Sequence, residues 1–421
     1  MDRRRIPAVA AQFTQALTSL VFGMVAVRAL DPTGFGQYSL VISTLVVMTG
    51  ATTGLVGDTL TVLDRHHPPI RSALQHLALG SALVGGLVVA FVGIVLGWFP
   101  NATAPIVAVA VLSFLFEDVL RRMLMANSRF VSVLWVDLSY AAAAALTLWV
   151  IWSVSTVTLG MIFVAMTVGQ CVAAVVAVNL LPAEERYLVM SRGAAWRETL
   201  GFGSWRAIQG LVGPARLWGA RALVAAFATL ASVGVLEANR LVVAPIQLAV
   251  QGMASAILVA YVTRARTEPW RLNRAADRDA LLLVGGALAG TAILVAAAPL
   301  VGRILLGSTE LVNRPAMLGW GLVAVGAGAA IPYMHVSSVL GAPGAAASVR
   351  ILDMVLSLAA VGTLMLTTTA DESYIYVPAV LGLVVCSTAL LQRARSRARV
   401  AAVGHEPYRP TSKPAPEAAD E

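Results

Sequence analysis

Arg206, Gln209, Arg216 and Arg221 recur in one apolar stretch at spacings that gather them along one flank of a helix. At about 100° per residue from Arg206, Gln209 falls at roughly −60°, Gly213 at −20°, Arg216 at −80°, Ala220 at −40° and Arg221 at +60°, an arc of about 140°. That flank is cationic, polar and small. Arginine suits phosphate because its planar fork donates two hydrogen bonds and keeps its charge. Arg206 is near a helix end and can snorkel. Arg216 is about 14 residues in, or about 21 Å, too deep to snorkel cheaply. Glu237 and Arg240, three residues apart, share a face of the next stretch. Arg216, Arg221 and Arg240, with Arg206 and Gln209, are therefore candidate ligands for an anionic substrate such as one bearing phosphate. The alternative is that Glu237 and Arg240 pair with each other or with the neighbouring arginines and hold helices together. Asp58 and Asp137 stand in earlier apolar stretches, where each either carries a coupling proton or sodium ion or pairs with an arginine, and Glu237 is likewise a candidate for ion coupling or charge pairing. Glu117–Arg121 and Asp118–Arg122 have i,i+4 spacing and are expected to close a helix end as local ion pairs. Asp353 reads as a gate or packing partner near Arg350, and His335 as a hydrogen-bonded core histidine.

The elements that position these groups are set by composition. Apolar types make up 58% of the 421 residues, charged types 12%, and mean hydropathy is +0.80. A soluble domain has roughly 25% charged residues, so most of this surface must face lipid. A bilayer core of about 30 Å takes roughly 20 apolar residues as helix. Barrel strands would alternate polar and apolar, whereas these blocks are continuous. Twelve spans are read, near 8–28, 38–62, 75–98, 102–123, 131–152, 157–181, 202–225, 230–261, 280–300, 315–340, 350–368 and 374–392. The fold class is an all-α polytopic membrane protein of two six-helix bundles: 1–181, a connection at 182–201, and 202–392. The tail 393–421, rich in proline and charge, is expected to be disordered.

Arginines orient the chain. With both termini in the cytoplasm, the cytoplasmic segments and adjoining span ends hold 23 of the 30 basic residues, from Arg3, Arg4 and Arg5 through Arg65, Arg129 and Arg271 to Lys413. The outer loops hold Arg28, Arg303 and Arg314. This distribution accounts for the net charge of +8 without nucleic acid. The first block is longer than a signal-peptide core and lacks a clear cleavage site, so it reads as an uncleaved span. Cys171 and Cys386 fall inside spans and read as packing residues, with no disulfide framework.

Sites for other chemistry are missing. There is no phosphate-binding G-x-x-x-x-G-K-S/T loop, no H-E-x-x-H and no clustered His/Cys set, so no cofactor and no metal are expected. The outer loops are too short for a catalytic domain, which points away from a glycosyltransferase, ligase or sugar polymerase, and the chain is not expected to be an enzyme.

A weak internal echo accompanies the division into halves. Phe35-Gly36 enters span two and Val233-Gly234 enters span eight, an offset of 198 residues. Internal repeats are common in transporters, with the substrate site between the halves.

The run Arg28-Ala29-Leu30-Asp31-Pro32-Thr33-Gly34-Phe35-Gly36-Gln37-Tyr38-Ser39-Leu40 resembles the first outer loop of polysaccharide-type flippases, a branch of the multidrug/oligosaccharidyl-lipid/polysaccharide exporter superfamily. Their pattern there is R-x-L-x-P-x-x-F/Y-G-x-Y/F-x-L. Phe116 to Ala126 is similar to the family's end of span four, Val233-Gly234 through Asn239-Arg240-Leu241 to its seven-to-eight junction, and Leu305-Leu306-Gly307 to its turn after span nine. The resemblance implies two six-helix bundles facing each other in a V. It also implies movement of a lipid-linked (polyprenyl diphosphate) saccharide from the inner to the outer leaflet of a bacterial plasma membrane, with a polysaccharide polymerase or glycosyltransferases as partners. Pro32, Gly34 and Gly36 are expected to make a tight turn between helices. Two other readings stay open: a small-molecule or drug exporter of the same superfamily, and a non-transporting scaffold in cell-envelope assembly. Arginine outnumbers lysine 29 to 1, which with the Ala and Val content suggests a GC-rich bacterial genome.

Overall fold

The computed structural model describes residues 5–187, 193–340, 343–368 and 372–403. Arg3, Arg4, Arg192 and the end of the tail, 404–421, lie outside the described residues. Twelve long helices follow one another: α1 (Arg5–Ala29), α2 (Pro32–Val62), α3 (Pro68–Val95), α4 (Ala104–Ala126), α5 (Phe130–Val154), α6 (Leu159–Leu180), α7 (Trp196–Phe227), α8 (Leu230–Thr267), α9 (Leu272–Ala296), α10 (Arg314–Val339), α11 (Pro343–Thr367) and α12 (Val377–Val403). Eleven are long and apolar enough to cross a membrane. The twelfth is α7, which has 32 residues but carries the arginines that dilute its apolarity. Both described ends of the chain lie on one side, with the arginine-bearing connections. We call it the basic end, and the opposite side the far end.

Local chemistry sets the helix starts. Asp31 caps α2 by accepting from Gly34 N at 2.9 Å, with Pro32 in the first turn. Thr229 caps α8 through Ser232 N at 3.1 Å, and Asn313 caps α10 through Ala316 N at 3.0 Å. α2 is interrupted by a wide turn at Thr53–Asp58. A second wide turn, Gly302–Leu306, follows α9 and is closed by Gly307 at φ 75°, a left-handed position that favours glycine.

The helices pack as two bundles, α1–α6 and α7–α12, with the same pairings in each; α1 lies on α5 as α7 lies on α11. The sequence echo is real in space. The offset of 198 carries the end of α1, Ala29, to the end of α7, Phe227, and the cap pair Asp31 and Gly34 to the cap pair Thr229 and Ser232. It also carries Gly36 to Gly234, and these two glycines meet where α2 crosses α8 at the far end. A methyl carbon on Gly36 would lie 1.9 Å from Leu230 O, and one on Gly234 would lie 2.0 Å from Pro32 O. The backbones touch there because neither residue has a side chain. Gly34 and Gly36 are therefore helical, and the expected tight turn shrinks to Leu30 and Asp31. Closer to the basic end, α2 runs against α7 through Gly50 with Gly210 and Gly54 with Ala207. Trp218 Nε1 donates to Thr44 Oγ1 across the same seam at 2.8 Å.

Three further expectations change. The chain does not leave its bundle at 393: α12 continues to Val403. Asp277 at the start of α9 holds that extension, with its carboxylate 3.0 Å from Arg393 Nε and 2.9 Å from Arg397 Nη2, while Ser396 donates to Asn273 at 3.0 Å. α7 begins at Trp196, inside the stretch read as connection. Cys171 is exposed on α6 rather than packed. In the first bundle, Arg122 pairs with Asp118 at 2.7 Å as expected. Arg121 instead reaches across to Asp137 on α5 with two bonds of 2.9 and 3.2 Å, so the expected Glu117–Arg121 pair is not made. A bidentate fork to a neighbouring helix gives two well-aligned bonds, which the one-helix geometry does not offer.

Candidate functional site

Between the bundles, α1, α2, α7 and α8 enclose a cavity of about 280 Å³. The Gly36–Gly234 crossing seals it at the far end, and its walls descend from there to Val46 on α2 and Gln251 on α8. Arg221, Glu237 and Arg240 sit near the sealed end. Glu237 is the hub: Arg221 Nε donates to Oε1 at 2.7 Å and Arg240 Nε donates to Oε2 at 2.5 Å. Its side chain is 3% exposed, Arg221 is 11% exposed and Arg240 is 32% exposed. Both bonds use Nε, so the Nη ends of both forks remain uncommitted among the described residues. Two guanidiniums share one carboxylate, and the site keeps one excess positive charge.

The hub is held firmly. On α8, Asn239 donates to Leu311 O at 2.9 Å and its carbonyl accepts from Asn313 N at 2.8 Å, while Trp320 Nε1 donates to Leu236 O at 2.9 Å. These bonds fix the far-end turns of α8 against the start of α10. At the same end, the Arg28 guanidinium donates to Ile304 O, tying the loop between α1 and α2 to the wide turn after α9. The remaining cavity wall is polar on one stripe of each helix: Ser39 and Ser43 on α2, Gln247 and Gln251 on α8. Arg240, Gln247 and Gln251 fall at i, i+7 and i+11, one face of a helix. That spacing is visible in the sequence and identifies the two glutamines, which the inspection of charged residues alone passes over.

The candidate residues separate into groups. Arg221, Arg240 and Glu237 meet in the central cavity, where Glu237 pairs with both arginines. Arg216 does not line the central cavity: its Nη1 lies 3.3 Å from Asp353 Oδ2, in the seam between α7 and α11. Thr388 also donates to Asp353, at 3.3 Å. Arg206 and Gln209 line a second cavity inside the second bundle, with His335 and Arg350. The single cationic flank expected for α7 thus faces two places, because 140° of arc spans both α11 and the central cavity. Asp137 is buried against Arg121 in the first bundle. Asp58 ends the wide turn of α2 and makes no ion pair among the described residues. No group of acidic, histidine and cysteine side chains among the described residues could hold a metal.

No protein-family model matches the sequence, and no curated protein does. Solved structures match over nearly the whole chain. The inward-facing conformation of a multidrug resistance MATE family transporter of the MOP superfamily is 14% identical, with a TM-score of 0.75, covering 95% of this chain and 99% of that one. The outward-facing conformation of such a transporter gives 0.65 at 14% identity, covering 96% and 95%. A MOP superfamily transporter from Pyrococcus furiosus, described as having a binding pocket of reverse polarity, gives 0.63 at 13% identity, covering 95% of each chain. At these identities the likeness establishes the fold: this chain has the architecture of MOP superfamily transporters.

Proposed function

We propose that the protein moves a lipid-linked saccharide precursor across a bacterial plasma membrane by alternating access, with the basic end in the cytoplasm. The observation that carries this reading is the Arg221–Glu237–Arg240 hub at the sealed end of the cavity between the bundles. One acid orients two arginines through their Nε atoms, and the outward Nη ends suit the oxygens of a diphosphate. The cavity volume fits a diphosphate head, and the saccharide extends toward the basic end along Ser43, Gln247 and Gln251, which offer hydrogen bonds to hydroxyls. Opening the Gly36–Gly234 crossing while the opposite mouth closes would present the head to the other leaflet. The excess positive charge disfavours cationic drugs as cargo. Asp58 remains the candidate for ion coupling, as an acid in a span with no ion-pair partner among the described residues.

The test is deletion of the gene followed by analysis of surface polysaccharide and lipid-linked intermediates. Loss of the polymer with intermediates accumulating in the inner leaflet supports the reading. Unchanged glycans with raised sensitivity to cationic drugs would move the assignment to a drug exporter. Normal intermediates with defective envelope assembly would favour a scaffold.

A further inference from the structure

The second cavity, about 260 Å³, lies near the basic end between α7, α10 and α11. It is a different site from the hub: the two share no lining residue. Arg206 and Arg350 line it with Gln209 and His335, and no carboxylate does. The nearest acid, Asp353, is one turn from Arg350 but is engaged by Arg216 at 3.3 Å and by Thr388 at 3.3 Å. Neither Arg206 nor Arg350 makes an ion pair or hydrogen bond among the described residues; Arg206 only stacks on the Phe202 ring, 5.6 Å from its centroid. His335 Nε2 is buried and also has no hydrogen-bond partner. Arg350 leans toward α7 at Gly213, where an added methyl carbon would lie 3.0 Å from its Nη2. The apolar Trp205 and Ile208 of its lining reach the surface, at 54% and 47% exposed, beside the exposed Arg206, Ser338 and Arg350.

Two guanidiniums that line one pocket at the basic end, with no ion-pair partner among the described residues and no carboxylate in the lining, suit an anion that both forks can hold. A rim of exposed tryptophan and isoleucine calls for hydrocarbon. We infer that this pocket binds the phosphate head of an anionic membrane lipid in the leaflet at the basic end, with its chains lying over Trp205 and Ile208. Arg206 and Arg350 clamp the phosphate from α7 and α11, and Gln209 donates to a remaining oxygen. The site does not depend on what the central cavity carries. A lipid bound there would neutralise the seam along which α7 rests on α11.

The probe is phosphatidylglycerol added to the detergent-purified full chain and followed by native mass spectrometry. Wild-type protein is expected to retain one phosphatidylglycerol. Arg206→Gln and Arg350→Gln are each expected to reduce its occupancy at least tenfold, Arg350→Lys less, because lysine keeps the charge and loses the fork. Arg240→Gln, in the central cavity, is expected to leave the phosphatidylglycerol occupancy unchanged. Both glutamine variants remove side chains that make no hydrogen bond or ion pair among the described residues, and an unchanged melting temperature verifies that they are folded. Wild-type retention in both variants would overturn the inference, as would loss in Arg240→Gln, which would place the lipid in the central cavity. Displacement by millimolar inorganic phosphate with no preference for the lipid would assign the pocket to a free anion and overturn the lipid source.

Discussion

At the scale of single residues, the hub and the buried pair of the first bundle behave differently under mutation. Arg240 is the more exposed of the two hub arginines, so Arg240→Gln is expected to lower transport of the lipid-linked precursor more than tenfold while leaving thermal stability near wild type. A reconstituted flipping assay and a melting curve together check this; full activity in the variant would remove Arg240 from the substrate path. Glu237→Ala leaves two arginines on the cavity wall without their anion, and is expected to lower the melting temperature. Asp137→Ala strands Arg121 in the same way, and a similar loss is expected in denaturation. Replacing both partners with apolar residues, Arg121→Met with Asp137→Leu, should restore most of that stability, since a buried ion pair is worth little against good apolar packing. A double variant as unstable as Asp137→Ala would show instead that the pair itself holds the bundle. Such roles were only half legible in the sequence. The charges inside spans stood out, but Arg121 had two acids within reach of it along its own helix and took a third from α5, a choice that depends on how α4 and α5 pack.

At the scale of the elements, the seam along α2 rests on absent side chains. Gly36→Val is expected to force α2 from α8, because even a methyl carbon there would overlap the Leu230 carbonyl. The far-end seal should then open, and a cysteine placed on α1 at Ser19 should react with a membrane-impermeant thiol reagent added from the far end. Cys171 is exposed, so the experiment uses a background lacking both native cysteines. No reaction in the Gly36→Val background would mean that the seal lies elsewhere. The α-helical class and eleven of the twelve long helices were readable from apolar blocks of about twenty residues, which admit few other solutions. Helix ends in the basic loops were not. The α12 extension looks like a polar tail along the chain and becomes a docked helix only through Asp277, more than a hundred positions earlier. In the same way, Gly36 read as a turn former because the partner that demands a glycine is on another helix.

At the scale of the whole molecule, the two halves repeat each other but do not meet each other symmetrically. The offset that maps Gly36 to Gly234 maps Gly50 to Leu248 and Gly210 to Gln12. The α2–α7 contact of Gly50 on Gly210 therefore has, as its counterpart between α8 and α1, a leucine that lines the cavity and a glutamine that is exposed. One flank of the interface is closed by bare backbone and the other is propped open by side chains. Spin labels placed across α1 and α8 are expected to report a broad distance that shifts on adding substrate, whereas a pair across α2 and α7 stays narrow; equal shifts in both would exclude the asymmetry as a constraint on motion. A book bound along one edge can open only along the other. With α2 and α7 as the spine, the pages part beside α1 and α8, so a cargo with a water-loving head and a long oily tail can turn over with its head between the covers while its tail trails out through the open edge and stays in the lipid throughout.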